Sequence, residues 1–222
     1  MSGLYELSSQ HREWKYDKEA LEEKRKELNS LASMNVTAKS SELEYLFMEE
    51  EELLCSFYQS KIQDICKFHN FPLNIFGTAV LFHKRFYLSY PMLQFDPKHV
   101  MLTCVFLAAK VENNHLQLGD FVKKIPNVNQ NLILELEFHV CKGLRFHFHI
   151  HLPYLPLYGF YLESQRFIKE EVVHLLKDAY EAALKYISMG LLTDAPLLFT
   201  PSQIALSAFL HSCHQLNISL EE

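Results

Sequence analysis

The sequence predicts an all-α protein, and a stretch near its centre carries much of that prediction. From Val100 to Ala109 every residue is apolar or is Thr or Cys, so a helix here has no polar face and must be buried on all sides. Asp96 offers a side-chain oxygen to the first free N–H groups, and Pro97 suits the first helical position. Lys110 closes the apolar run, which is far shorter than the roughly 18 residues that a membrane span needs.

The same pattern returns at a constant offset of 104 residues. The stretches 95–113 and 199–217 align without a gap, with matching Phe-x-Pro starts and matching apolar positions. In the second stretch Thr200 and Gln203 have the spacing of a capping box. A chance match is the alternative, but the paired starts favour a duplicated helical unit. A repeat of this length indicates two similar halves rather than a solenoid.

The composition fits an α-helical protein of one large or two small domains. Of 222 residues, 49% are hydrophobic and only 6 are glycine. The net charge of -6 argues against a nucleic-acid footprint. The strongly charged first thirty residues do not resemble a signal peptide. The 5 cysteines lie far apart, which predicts reduced core thiols of an intracellular protein rather than a metal site.

The N-terminal region is predicted to hold one helix between two irregular segments. Residues 1–13 are polar and are expected to be mobile. A helix from Lys18 to Leu31 has a thin apolar stripe, so it must lie against something larger, with Trp14 and Tyr16 as anchors. The alternative is a solvated charged arm. Residues 33–41 are interpreted as a linker.

Five helices are predicted between residues 48 and 144, and three more follow in the second half. The first five are Met48–Phe68, Leu73–Leu88, the buried helix from Pro97, Leu118–Lys124 and Gln130–Leu144. The others are Pro153–Ser164, Ile168–Met189, which Gly190 is expected to end, and a helix from Pro201. Only five residues follow Asn217, so the second half is expected to be incomplete and to expose apolar surface.

Residues 145–152 alternate strictly between polar or basic and apolar side chains. In an extended segment His147, His149 and His151 would point the same way, which raises a zinc hypothesis. No nearby carboxylate or thiolate completes such a site. The segment also lies where the two repeats should join, so a linker is the favoured interpretation.

Several stretches of the chain resemble the cyclin family, and cyclin H within it. They are Ser8–Trp14, Gly77–Leu88, Asp96–Glu112, His151–Pro156 and Leu191–Leu206. The resemblance covers nearly the whole chain and implies the cyclin fold. It implies an N-terminal arm and helix at 1–47, a complete five-helix cyclin box at 48–150 and a partial second box at 151–222.

The resemblance also implies a function. A cyclin of this kind is a non-catalytic subunit that binds and activates the cyclin-dependent kinase of the CDK-activating complex. Its other partners are a RING-finger assembly factor and, indirectly, the TFIIH core, and its location is the nucleus. No cofactor, direct nucleic-acid contact or membrane is implied. A truncated form that binds kinase without activating it is an alternative.

Two hypotheses from other classes are weighed against this one. A DNA-binding protein of the TFIIB kind also uses paired cyclin-like boxes, but it needs a basic face, and the net charge is -6. An enzyme or metal protein built on the histidine-rich segment needs a recognisable catalytic pattern. We find no nucleophile–base pair, phosphate loop or paired carboxylates with such spacing.

The family resemblance implies which residues contact the kinase. Lys110 and Glu137 match a lysine and a glutamate that bind beside the mobile C helix of the kinase, and Glu112 and Trp14 are placed with them. The residues themselves are charges at the border of apolar surface, a costly place unless they are paired. A lysine favoured by the helix dipole and a solvated glutamate are the alternative. Asn113 departs from the family pattern, which carries an acidic residue there.

Overall fold

The computed structural model describes residues 5–37, 46–123, 125–166 and 173–218. Within these ranges the backbone forms α-helices and one short 3₁₀ helix, Met92–Gln94, and contains no strand. The α-helices are α1 (Ser9–Glu13), α2 (Lys18–Thr37), α3 (Met48–Phe68), α4 (Leu73–Phe86), α5 (Pro97–Val111), α6 (Leu118–Val122), α7 (Gln130–Gly143), α8 (Tyr154–Ser164), α9 (Val173–Leu191), α10 (Ala195–Leu198) and α11 (Pro201–Gln215). The prediction of an all-α protein is confirmed.

These helices form two compact units. The first unit is Tyr16–Ile150, in which α5 packs against α3, α4 and α7. The second unit combines the N-terminal residues up to Lys15 with those from His151 onward, and in it α8, α9 and α11 pack on one another. None of the helices in the described ranges has the length and hydropathy that a membrane span requires.

Helix α5 is the buried centre of the first unit, as the apolar run predicts. Each residue from Val100 to Ala109 is at most 6% exposed. The Asp96 carboxylate accepts a hydrogen bond from the backbone N–H of His99 at 2.9 Å, so the predicted N-cap is confirmed. Because the whole circumference of α5 is apolar, the neighbouring helices pack their apolar faces against it. This packing determines their positions.

The internal repeat is visible in the backbone. Helices α5 and α11 both have 15 residues, begin at the matched prolines and are followed by matched asparagines with positive φ, Asn113 and Asn217. The predicted capping box of Thr200 and Gln203 is present. The second copy is less covered, because Leu206 is 40% exposed whereas its counterpart Leu102 is fully buried. The expected exposure of apolar surface in the second half is therefore observed on α11.

The predicted mobility of residues 1–13 is wrong for residues 9–13. Helix α1 begins after Ser8, whose hydroxyl oxygen accepts a hydrogen bond from the N–H of His11 at 3.2 Å. The buried amide of Gln10 accepts from the N–H of His151 at 2.8 Å and donates to its carbonyl at 3.2 Å. A partner that is 141 residues away gives no signal in the local sequence.

Helix α2 is longer than predicted and is not a solvated arm. It continues to Thr37, so the linker interpretation of 33–41 is wrong for 33–37, while 38–41 lies outside the described residues. No Gly or Pro interrupts the helical hydrogen bonds there. Leu21 and Leu28 are 2% and 6% exposed, because α2 packs against α3 and the 3₁₀ helix.

Two differences concern the end of α9 and the segment after it. Gly190 does not end α9, since the helix runs on to Leu191, which is fully buried. None of the described glycines has a positive φ, so the helix-ending role predicted for Gly190 is wrong. The four-residue helix α10 was not predicted, because it is too short to show a periodic pattern. Ile168 lies outside the described residues.

The matched leucines of the repeat provide a test of the central helix. We expect Leu102→Ala to lower the free energy of unfolding by about 2–5 kcal/mol, because the side chain is fully buried and leaves a cavity. The control Leu206→Ala removes the same atoms at the matched, partly exposed position and should cost only about 1 kcal/mol. Urea denaturation of both variants measures the difference, and equal losses would contradict the central role of α5.

The buried imidazole of His83 predicts a pH dependence. Neither ring nitrogen has a hydrogen-bond partner among the described residues, and burial, helped by the nearby charge of Lys84, lowers the pKa of His83 to about 3. The folded chain therefore keeps this ring neutral, whereas the unfolded chain protonates it below about pH 6.5. The free energy of unfolding should fall as the pH drops from about 6.5 towards 3, by up to about 1.4 kcal/mol per pH unit.

The variant His83→Leu removes this titration. Between pH 7 and pH 5 it should lose less stability in urea denaturation than the native chain does. An equal loss in the two proteins would show that His83 is not the group responsible.

Candidate partner-binding site

The structure brings Lys110 and Glu137 together on the surface of the first unit. Lys110 lies in the last turn of α5, Glu137 lies in the middle of α7, and these two helices pack on each other. The Lys110 Nζ and Glu137 Oε1 atoms are 2.5 Å apart. The lysine side chain is 44% exposed and the glutamate side chain 22%. The two charges are therefore paired with each other and still open to solvent.

Local chemistry holds this ion pair in place. The Lys110 ammonium lies 4.3 Å from the centre of the Phe106 ring, a cation–π distance. Phe106 is 4% exposed and belongs to the buried face of α5. Position at the C-terminus of a helix also favours a cation. Exposed ion pairs contribute only about 0.2–1 kcal/mol to the free energy of unfolding. The stability of the fold therefore does not by itself explain this arrangement.

Glu112 is held by neutral donors of the first unit. Its Oε1 atom accepts a hydrogen bond from the Thr78 hydroxyl at 2.7 Å, and its Oε2 atom accepts from the Asn74 amide at 2.6 Å. Thr78 is fully buried. Glu112 therefore ties the end of α5 to the first turns of α4, and each carboxylate oxygen is engaged inside the chain.

Trp14 is buried within the other unit. It follows α1 as its C-cap residue and belongs to the second unit. Its side chain is 1% exposed, so its ring is part of a core and offers no surface to a partner in this structure.

An apolar surface beside Glu137 was missed by the sequence analysis. Leu134, Phe138 and Phe146, hereafter the aromatic patch, are 51%, 65% and 56% exposed, and the ring centres of Phe138 and Phe146 are 6.4 Å apart. Helix α7 thus has two apolar faces, of which the one with Ile133 is buried. The signal in the sequence was a second apolar pair at a spacing of four, Leu134 and Phe138, on a helix whose core face was already complete.

Comparison with known families decides the class of protein. Residues 24–149 match the model of the cyclin N-terminal domain, and residues 152–221 match that of the cyclin C-terminal domain. The chain belongs to the cyclin family. The cyclin fold implied by the resemblance is confirmed.

Similar proteins place this cyclin among the cyclin H relatives. Cyclin CCL1 of Saccharomyces cerevisiae is 33% identical over 93% of the chain and 57% of its own length. Cyclin-H1-1 of Arabidopsis thaliana is 36% identical over 75% of the chain and 50% of its own length. The chain thus spans about half the length of these curated relatives.

Two solved complexes contain chains with the same fold. The first is the CAK complex from Chaetomium thermophilum bound to ATP-gamma-S, with 30% identity, a TM-score of 0.90 and coverage of 97% of this chain and 70% of that one. The second is the yeast TFIIK (Kin28/Ccl1/Tfb3) complex, with 35% identity, a TM-score of 0.82 and coverage of 96% and 88%.

The cysteines of this cyclin are free thiols whose pKa values are raised by burial. All 5 are free, in agreement with the prediction of reduced cysteines. Burial raises the pKa of Cys66 to about 12. Cys141 lies on α7 near the ion pair, and its pKa is raised first by burial and then by the charge of Glu137, with Lys110 acting in the opposite direction. It is therefore a neutral thiol at pH 7.

The histidine-rich segment of this cyclin spans the division between the two units. In the described part of the chain no three His, Cys, Asp or Glu residues are grouped in a way that could hold a metal ion. His147 and His149 belong to the first unit and His151 to the second. The segment carries the chain from one unit to the next, as the linker interpretation predicts.

The hydrogen bonds of Glu112 predict a structural cost for its removal. Glu112→Ala leaves the buried hydroxyl of Thr78 without its acceptor, so the free energy of unfolding should fall by about 1–3 kcal/mol. Adding Thr78→Val removes that hydroxyl and should recover part of the loss. Thermal unfolding of the single and double variants tests this, and an unchanged melting temperature in the single variant would contradict it.

Proposed function

We propose that this cyclin is a non-catalytic subunit that binds and activates the cyclin-dependent kinase of a CDK-activating complex. Its other partners are a RING-finger assembly factor and, through the complex, the TFIIH core, and it acts in the nucleus. Support comes from the two solved complexes, which are a CAK and a TFIIK assembly with chains of at least 30% identity. Its relatives are likewise named cyclin H or Cyclin CCL1.

The observation that carries the proposal is the ion pair of Lys110 and Glu137 next to the aromatic patch. Interfaces are typically built from exposed aromatic side chains around a few oriented polar groups. Here two charges are already held in one geometry on two packed helices, so little side-chain entropy is lost when a partner binds. The patch supplies apolar area beside them.

The mechanism is a shift in the conformational equilibrium of the kinase. Docking of this surface beside the mobile C helix favours the inward position of that helix, in which its glutamate pairs with the lysine that holds the ATP phosphates. The cyclin must bind this active form more tightly than the inactive form, since equal affinity for both would shift nothing. The cyclin itself contributes no reacting group.

The parts of the chain have different roles in this proposal. Residues 48–150 form the first cyclin box, which docks the kinase, 151–222 form the second box, and 1–47 form the N-terminal arm and helix. Each carboxylate oxygen of Glu112 already accepts a hydrogen bond from Asn74 or Thr78. Glu112 therefore contacts the partner only through the remaining lone pairs of these oxygens. That Trp14 contacts the kinase stays a prediction, and its burial supports an indirect role in holding α1.

A form that binds kinase without activating it is a second candidate. The exposed apolar face of α11, with Leu206 at 40% and Leu210 at 47% exposure, favours it, because such a surface weakens a fold when nothing covers it. An activity assay of the reconstituted complex on a kinase substrate separates the two. Binding with stimulated activity supports activation, and binding without stimulation supports the second candidate.

Removal of either charge should weaken kinase binding. Lys110→Ala and Glu137→Ala are each expected to reduce the affinity for Kin28, the kinase of yeast TFIIK, by about 2 kcal/mol, roughly 30-fold. Isothermal titration measures the dissociation constants. If both variants bind Kin28 as tightly as the native chain does, the assignment of these residues is wrong.

A charge swap distinguishes contact with the partner from a purely internal role. The double variant Lys110→Glu with Glu137→Lys keeps an ion pair inside the chain but inverts the charges offered to the kinase, so its affinity should remain low. Native affinity in the swap would show that only the internal pair matters. Lys177→Ala breaks an exposed ion pair on α9 with Glu181 and is the control, with affinity expected to be unchanged.

A further inference from the structure

The backbone contains an unusual pair of residues at the end of α7. Six non-glycine residues in the described ranges have positive φ, and four of them are asparagines: Asn70, Asn113, Asn127 and Asn217. Asparagine tolerates this left-handed region better than most residues. The other two are Arg145 and Phe146, with φ of 52° and 58°. Two consecutive bulky residues thus occupy a conformation that elsewhere in the chain is given to asparagine.

The turn itself is fixed by the backbone and by the packing of α7. The N–H of Phe146 donates to the Cys141 carbonyl at 2.9 Å, and the N–H of Arg145 donates to the Lys142 carbonyl at 2.9 Å. These bonds are independent of the side chains at positions 145 and 146. Asparagine at either position could therefore form the same turn with less strain.

The end of α7 is also held firmly from the other side. The Ser89 hydroxyl donates to the Gly143 carbonyl at 2.8 Å. A Cβ atom at Gly143 would lie 2.9 Å from ring atoms of Phe86 and Tyr90, so only glycine allows this close approach. The position of this helix end therefore depends on contacts of Gly143 and not on the side chains of Arg145 and Phe146.

Both side chains are exposed, and Phe146 is one of the three residues of the aromatic patch. Phe146 forms part of it and is joined to the core through Phe148, with ring centres 6.1 Å apart, and from there to the fully buried Phe82 at 6.3 Å. Arg145 is exposed and directly precedes Phe146 in the chain. Strained residues in folded proteins concentrate at functional sites, where the strain serves a purpose other than stability.

We propose that Arg145 is a specificity-determining residue of the kinase-docking surface and that it faces a carboxylate of the kinase. The inference rests on the proposed function. A rim charge chiefly selects the partner and increases the association rate. Arginine is suited to this role because its planar guanidinium binds a carboxylate through two parallel hydrogen bonds. Its positive charge at the end of α7, in a chain of net charge -6, complements an acidic partner segment.

The test compares the stability of the free chain with its affinity for Kin28. Arg145→Asn should raise the melting temperature of the free chain by about 2–4 °C, because the strain is relieved. The same variant should bind Kin28 about 5- to 10-fold more weakly and with a smaller dependence on salt between 50 and 200 mM, since one screened charge pair is lost. Calorimetry and titration at both salt concentrations supply the readouts.

Two further variants make the result specific. Arg145→Lys keeps the charge and the strain but not the two parallel hydrogen bonds, so its melting temperature should be unchanged and its affinity should lie between those of the native chain and of Arg145→Asn. Lys142→Asn removes a positive charge three residues earlier, at a position with ordinary helical backbone, and should bind Kin28 with native affinity.

Each contrary outcome has a distinct meaning. Native affinity in Arg145→Asn would overturn the inference, as would an equal loss of affinity in Lys142→Asn, which would indicate a general charge effect. An unchanged melting temperature in Arg145→Asn would show that the backbone at position 145 is not strained, and the inference would lose its premise. If the native chain does not bind Kin28 at all, the proposed function fails, whereas native binding with no effect at position 145 defeats this inference alone.

Discussion

Burial of α5 on every side is the constraint from which the rest of the first unit follows. A helix whose ten central residues are at most 6% exposed cannot exist in water unless α3, α4 and α7 surround it. This packing determines the position of α7, which places Glu137 beside the end of α5. At that end, Lys110 is the first charged residue after the apolar run. The candidate docking surface is therefore a consequence of how the core is built.

The second unit contains a helix with the same sequence pattern that is buried less completely. Helix α11 repeats α5 in length, in its proline start and in the asparagine that follows it, but Leu206 and Leu210 are partly exposed where Leu102 and Phe106 are buried. The repeated sequence thus sets the backbone of the helix, and the neighbouring helices decide whether it becomes a core.

The sequence was most informative where the pattern is periodic and local. The bounds of α3 were predicted to the residue, and the N-caps at Asp96 and Thr200 followed from side chains within three positions. It failed where the deciding contact is distant, as at α1, where Gln10 pairs with the backbone of His151. It also failed at α10, which is too short to show a period.

The candidate site was predicted in part. Lys110 and Glu137 were expected to share a surface because of the family resemblance, and the structure shows them as an ion pair. The aromatic patch was missed because exposure is a property of the packed helices and not of the sequence. Phe138 is as apolar as any core residue, and only the completed packing of α7 on α5 shows that its ring has no place inside.

The central claim is that the edge formed by α5 and α7 is the kinase-docking surface. The most direct measurement is site-specific photo-crosslinking to Kin28, with a photoreactive side chain at Phe138 and, as a control, at Met189, which is similarly exposed on α9 of the second unit. The account predicts crosslinks from position 138 and none from position 189. Crosslinks from position 189 alone would contradict it.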